Sequence, residues 1–183
     1  KSSKRRLTTI VAADVFGYSR LVAADEEGTL AALSRHRSEL IDPKISEHDG
    51  RIANTAGDSL LIEFQSVVEA LRFAISMQHG VSIRNAGIPD ERQVVFRVGI
   101  NLGDVIEQDG DLLGDGVNVA ARIEALANPG GINISAAARD QIGEKIEVEF
   151  HDLGEQSLKN IPKPVRVYRV ELGVTAIQRR SPS

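Results

Sequence analysis

Apolar positions along this 183-residue chain switch repeatedly between a strand-like and a helix-like period. Leu7 to Ala13 is a short continuous apolar run, the signature of a buried strand. Beyond it, Asp25-Glu26-Glu27 places acids where a helix N-terminus favours them, and Leu30, Leu33, Leu40 and Ile41 fall near one helical face. Pro43 predicts a kink or restart in that helix, which runs towards His48 and stops at Asp49-Gly50. Arg51 to Phe64 reads as two strands joined by a tight turn at Ala56-Gly57-Asp58-Ser59. Ser66 and Glu69 form a capping box ahead of Val67, Val68, Leu71, Ala74, Ile75 and Val81, which repeat at helical spacing. Phe73 and Met77 read as core residues of this second helix, which ends near Asn85 to Pro89. Val94 to Asn101 alternates, with Val94, Phe96, Val98 and Ile100 facing one way and Arg97 and Asn101 the other. Gly103 to Ile106 extends that strand, Asp109-Gly110 is a hairpin turn signal, and Asp111 to Leu113 returns.

A third helical stripe follows in Val119, Ile123 and Leu126, with Asn118 and Arg122 four apart on one face. Pro129-Gly130-Gly131 ends it. Ile132 to Ile134 is a short strand, Ser135 caps a short helix to Ile142, and Ile146 to His151 alternates as a strand. A proline-stiffened turn from Leu158 to Pro164 carries Lys159, and Val165 to Val170 closes the domain. The order strand, helix, hairpin, helix, strand is the split βαβ pattern. It predicts an α+β fold, a ferredoxin-like or palm-like βαββαβ sheet with helices on one face. Residues 1–6 are expected to be a solvated basic lead, 7–171 a single domain, and 172–183 a disordered polar tail.

Composition narrows the chemistry. A net charge of −4 argues against a general nucleic-acid binder, though not against a local basic pocket. There is no cysteine, and His36, His48, His79 and His151 lack metal-ligand spacing, so any metal must be held by oxygens. No apolar run approaches the ~18 residues of a membrane span, so no membrane segment and a cytoplasmic location are expected. The chain begins at Lys1 rather than Met, as a piece cut from a longer protein would.

Two carboxylates stand out. Asp14 ends the first apolar run, directly before Phe16-Gly17-Tyr18-Ser19, where Gly17 permits a tight turn and close approach to a ligand. Asp58 sits in the turn of the Arg51–Phe64 hairpin. If the hairpin strands flank the first strand, the two acids meet at one sheet edge and repel unless a cation lies between them. That arrangement suits a two-metal site for phosphoryl chemistry. The plainer alternative is that Asp14 caps the following turn.

Taken together, from about Arg6 to Val170, these motifs resemble the catalytic domain of the class III nucleotide cyclases, the adenylate and guanylate cyclases. The resemblance implies a homodimer with active sites shared between subunits, and a hairpin added to the sheet for dimerisation. It implies that Asp14, Asp58 and the Val15 carbonyl hold two ions, Mg²⁺ or Mn²⁺. Gly17 then cradles phosphates, Arg97 binds the triphosphate, and Lys159 holds its terminal phosphates. Asp111 reads the adenine amino group, Asn118 orients the ribose, and Arg122 stabilises the transition state. The implied reaction is ATP to cyclic AMP and pyrophosphate, with one ion activating the ribose 3′-hydroxyl and the other neutralising the leaving group. One position departs from the family pattern: Asn54 stands where adenylate cyclases usually carry a lysine, which leaves GTP as a possible substrate. Two alternatives follow, a guanylate cyclase or a degenerate cyclase that dimerises and binds nucleotide without turnover. A diguanylate cyclase would carry Gly-Gly-Asp/Glu-Glu-Phe, and this turn is Ala56-Gly57-Asp58-Ser59. Taken singly, Asp111 could be turn chemistry, and Arg122 could pair with Glu124 or Asp115.

Overall fold

The Leu7–Ala13 run forms the centre of β1 (Lys4–Val15) in a computed structural model that describes residues 4–172. The expected disordered tail lies outside the described residues, apart from Leu172. β1 begins three residues earlier than its apolar run, because Arg6 is held inside the sheet by ion pairs with Glu63 and Glu107. The basic lead is therefore part of the strand from Lys4 onward.

β1 pairs on one side with β3 (Ser59–Phe64) and on the other with β4 (Phe96–Gln108), both antiparallel. β2 (Arg51–Ala56) pairs with β3, so only one strand of this hairpin flanks β1. The resulting order β2-β3-β1-β4 is the ferredoxin-like arrangement the sequence predicted. β6 (Ile132–Ser135) extends the sheet parallel to β4, followed by β8 (Val165–Glu171) and β7 (Glu149–Gln156). β5 (Asp111–Leu113) folds back on β4 through Asp109 and Gly110, both at positive φ, as a two-residue hairpin of this twist requires. The strand expected at Ile146–His151 starts at Glu149 instead and runs on to Gln156.

Helices of the βαββαβ frame cover one face. The first connection is α1 (Tyr18–Ala24), α2 (Glu26–His36) and α3 (Asp42–Glu47), with one wider turn at Arg37–Ile41 between the last two. There the Asp42 N–H reaches back to Arg37 O. Pro43 has no N–H and its ring crowds the carbonyl four residues back, so the helix widens just before it. α4 (Val67–Arg84) starts at Ser66, whose side chain accepts from the Glu69 N–H. Phe73, Met77, Leu71 and Ile41 pack with Val11, Ala13, Ile62 and Phe96 as the main core.

α5 (Asp115–Ala125) lies across the opposite face, over Ile10, Ala12 and Val105. Its close approach depends on Gly99: a Cβ there would sit 2.5 Å from Ala120 O and 2.6 Å from Glu124 N. The helix therefore rests on bare β4 backbone. α6 (Ala136–Arg139) is short and capped by Ser135. Leu30 and Leu126, expected on buried helical stripes, are exposed. No helix among the described residues is long and apolar enough to cross a membrane.

Candidate active site

Asp14 and Arg97 are cross-strand partners in the β1–β4 ladder. Arg97 grips the Asp14 carboxylate through Nε and Nη2, each at 3.2 Å. Its Nη1 donates to Ala125 O at 3.1 Å, and its guanidinium lies 5.7 Å from the Phe16 ring centroid. Burial works against this charge, but Asp14, Glu124 and Asp58 outweigh it and raise the Arg97 pKa further. Asp58 joins the cluster through the backbone: its Oδ2 accepts the Val15 N–H at 2.9 Å. The β2–β3 turn is thus tied to the end of β1, beside Asp14.

Gly17 follows at φ +67°, the left-handed conformation that favours glycine, and leads into α1. The Arg20 guanidinium folds back to 3.1 Å from where a Gly17 Cβ would stand. Two arginines, Arg20 and Arg97, therefore converge on the Phe16-Gly17 turn.

The residue that sequence reasoning missed is Glu124, weighed only as a surface partner for Arg122. It is 6% exposed, lies close enough to Asp14 to feel its charge, and has Oε2, an oxygen with no hydrogen-bond partner among the described residues, 3.4 Å from Arg97 Nε. Burial first, then the Asp14 charge, push its carboxyl up to about 8. A protonated Glu124 beside an ionised Asp14 lets two acids share one site without repulsion. Nothing local signalled it, since Ile123 and Glu124 point about 100° apart on α5.

A second cluster lies at the β2–β5 edge. Asn54 Nδ2 donates to Asp111 Oδ2 at 3.1 Å, and Asp111 Oδ1 accepts the Leu112 N–H at 2.8 Å. Arg51 Nη1 holds Gly110 O at 2.9 Å and so fixes the hairpin tip against β2. Asn118 and Lys159 are exposed and Arg122 is half-buried on α5. None of the three makes a side-chain hydrogen bond or ion pair among the described residues, so Arg122 pairs with neither Glu124 nor Asp115. The structure brings Asp14, Val15, Gly17, Asp58 and Arg97 together, joins Asn54 to Asp111, and leaves Asn118, Arg122 and Lys159 unlinked to either group.

This fold and these motifs define a nucleotide cyclase domain of class III. The chain belongs to that family: the model of the adenylate and guanylate cyclase catalytic domain matches residues 2–171. It is 44% identical over 168 residues to "Putative adenylate cyclase 3" of Rhizobium meliloti, covering 92% of this chain and 29% of that protein. It is 27% identical to the "pH-sensitive adenylate cyclase MT1302" of Mycobacterium tuberculosis, covering 93% of this chain and 42% of that one. The chain thus spans well under half the length of these curated relatives. Among solved structures, an adenylate/guanylate cyclase/hydrolase from Silicibacter pomeroyi superposes with TM-score 0.88 at 40% identity, over 94% of this chain and all of that one. The adenylyl cyclase CyaB of P. aeruginosa shares the fold at TM-score 0.81 and 23% identity, over 94% and 97% of the two chains.

Proposed function

We propose that the chain converts ATP to 3′,5′-cyclic AMP and pyrophosphate, at sites built jointly by two copies. The observation that carries this reading is the convergence of Asp14, Asp58 and Arg97 at the end of β1, apart from Asn118 and Arg122. A C2 interface places one patch against its own copy, so the α5 residues of one subunit can complete the carboxylate cluster of the other.

The donor set fits a hard divalent ion. Asp14, Asp58 and the Val15 carbonyl are all oxygen ligands, the set that Mg²⁺ or Mn²⁺ takes. Among the described residues no three His, Cys, Asp or Glu side chains are gathered into a metal cage. Two carboxylates with substrate phosphates and water as further ligands is the usual Mg²⁺ arrangement. Two such ions, when bound, supply activation of the ribose 3′-hydroxyl and charge neutralisation on the leaving pyrophosphate.

The chain's own residues do the rest. Arg97, released from Asp14, carries its fork to the triphosphate, and Gly17 lets the backbone approach the phosphates. Lys159 adds a cation for the terminal phosphates. Asn118 orients the ribose with a neutral amide. Arg122 fixes a cation where charge grows on the α-phosphate oxygens as the 3′-oxygen attacks and pyrophosphate leaves. Asp111, acceptor-only when ionised, takes the adenine N6 amino group, and Asn54 donates to adenine N1. The Rhizobium relative's name supports ATP as substrate.

The test is product analysis after incubation with ATP or GTP and Mn²⁺ or Mg²⁺, then mixing of inactive Asp58→Ala with inactive Arg122→Ala. Cyclic AMP from the parent, and recovery of activity in the mixture, are expected. Exchange of subunits without recovery overturns the shared site. Nucleotide binding without any cyclic product would make the chain a regulatory module instead.

A further inference from the structure

On the helix-covered side of the sheet, a cavity of about 250 Å³ opens between α2, the end of α4 and the segment entering β4. Three arginines line it: Arg35 from α2, Arg84 from α4, and Arg92 from the turn before β4. His36 and Asn85 form its inner wall, both buried. Arg84 is committed, donating from Nε to His36 Nδ1 at 3.2 Å and from Nη2 to Glu39 at 2.6 Å. Arg35 and Arg92 are exposed, and neither side chain makes a hydrogen bond or ion pair among the described residues.

Three guanidinium groups thus line one cavity in a chain whose net charge is −4. Glu39 answers the charge of Arg84, which leaves Arg35 and Arg92 as two cations at the cavity that repel unless a further anion joins them. His36 responds to the same field: burial, then the charges of Arg84 and Arg35, push its pKa down, so it adds a neutral ring rather than a fourth cation. The cavity is smaller than the roughly 300–1,000 Å³ that holds a drug-sized ligand. A compact oxyanion fits within the cavity's volume. Guanidinium forks match tetrahedral oxyanions, and phosphate above all.

We propose that this cavity is a second anion site, separate from the nucleotide site, that takes a small phosphate dianion between Arg35 and Arg92. Its wall is one step from the catalytic strand. Asn85 Nδ2 donates to Val94 O at 3.0 Å, and the neighbouring Val95 O accepts the Phe16 N–H at 2.8 Å. His36 meets Phe96 edge-on at 6.3 Å between centroids, and Phe96 pairs with Val15.

The experiment is a calorimetric titration of inorganic phosphate into the chain without nucleotide or divalent ion, so it does not depend on turnover. Binding with a Kd below about 10 mM is expected. The Arg35→Ala/Arg92→Ala double variant should weaken it at least tenfold. Both side chains are exposed, and an unchanged thermal melt checks that the fold survives. Arg97→Ala should leave the Kd within twofold, which separates this site from the triphosphate region. A parallel titration with glycerol 3-phosphate distinguishes the sources: tighter binding than phosphate points to a phosphomonoester, equal binding to the free ion. No binding by the parent, unchanged binding by the double variant, or a loss caused by Arg97→Ala would each overturn the proposal.

Discussion

Arg97 holds Asp14 through both of its oxygens, so the proposed triphosphate arginine and the proposed metal carboxylate neutralise each other. An incoming cation must take Asp14 from Arg97. The pair is about one-fifth exposed at each end, so its strength exceeds that of a solvated bridge only modestly. At roughly 1 kcal/mol it sets a several-fold handicap on metal affinity.

Arg97→Ala should therefore move two quantities in opposite directions. Mn²⁺ affinity without nucleotide should rise about three- to tenfold. The kcat/KM for ATP should fall roughly ten- to a hundredfold, the worth of one or two charge-assisted bonds to phosphate. Metal titration by calorimetry and steady-state kinetics read the two effects. Unchanged metal affinity would show that Arg97 does not compete for Asp14.

Gly99→Ala tests how α5 is seated. The added methyl meets Ala120 O and Glu124 N, both backbone atoms that cannot swing aside. Overpacking of this kind costs about 1–3 kcal/mol, or on the order of 2–12 °C in melting temperature for a domain of this size. Because α5 also positions Glu124 over Arg97, turnover should fall at temperatures where the variant remains folded. A melt within a degree of the parent would mean that α5 relaxes freely.

These two cases mark what was legible in the sequence. Local chemistry was: the Ser66–Glu69 cap, the Asp109-Gly110 hairpin, and Asp58 in its turn all stand where residue type dictates. Alternation placed Arg97 on one face of its strand, while its pairing with Asp14 comes from the β1–β4 register. Glu124 was not legible, because its burial comes from a glycine 25 residues earlier on another element. The place of Arg6 was hidden similarly, since a basic residue enters the sheet only if acids 57 and 101 residues away meet it. The β7 boundary slipped because its faces are largely exposed and carry little apolar pattern.

Glu63 gives a pH prediction with a definite sign. It is 6% exposed and held by Arg6, Arg51 and Thr8. Burial alone would raise its pKa, but these partners hold it down to about 2, against 4.5 ordinarily. A carboxyl depressed in the fold stabilises fully above its unfolded pKa and loses that stabilisation as pH falls through the folded value. Part of the melting temperature should thus disappear between about pH 4.5 and 2, and that part should be missing in Glu63→Gln. At pH 7 the same variant should be destabilised by about 1–3 kcal/mol. That is less than the ~3–5 kcal/mol of a fully buried pair, because Arg6 and Arg51 keep 35% and 41% exposure. Parallel acid slopes for parent and variant would remove Glu63 from the account.

In the proposed site, base choice rests on Asp111 and Asn54. Their mutual hydrogen bond spends one N–H of the Asn54 amide and leaves the other for adenine N1. We expect ATP over GTP by roughly ten- to a hundredfold in kcat/KM, taking about 1–3 kcal/mol for one good polar contact. Asn54→Lys should widen the gap, since lysine only donates and also pairs with Asp111 by charge. A parent preferring GTP, or a lysine variant that narrows the gap, would show that the base is read elsewhere.

The ladder between β1 and β4 is paired without a break from Lys4↔Glu107 to Val15↔Phe96, and its middle is covered on both faces. Such a ladder opens only with the whole domain, so its amides should be the slowest to exchange with deuterium. Asp14 and Arg97 ride on it, whereas Asn54 and Asp111 stand at an exposed edge beside a shift in the β2–β3 register. Half of the proposed catalytic machinery is thus anchored to the last part of the chain to open, and the half that chooses the base to one of the first.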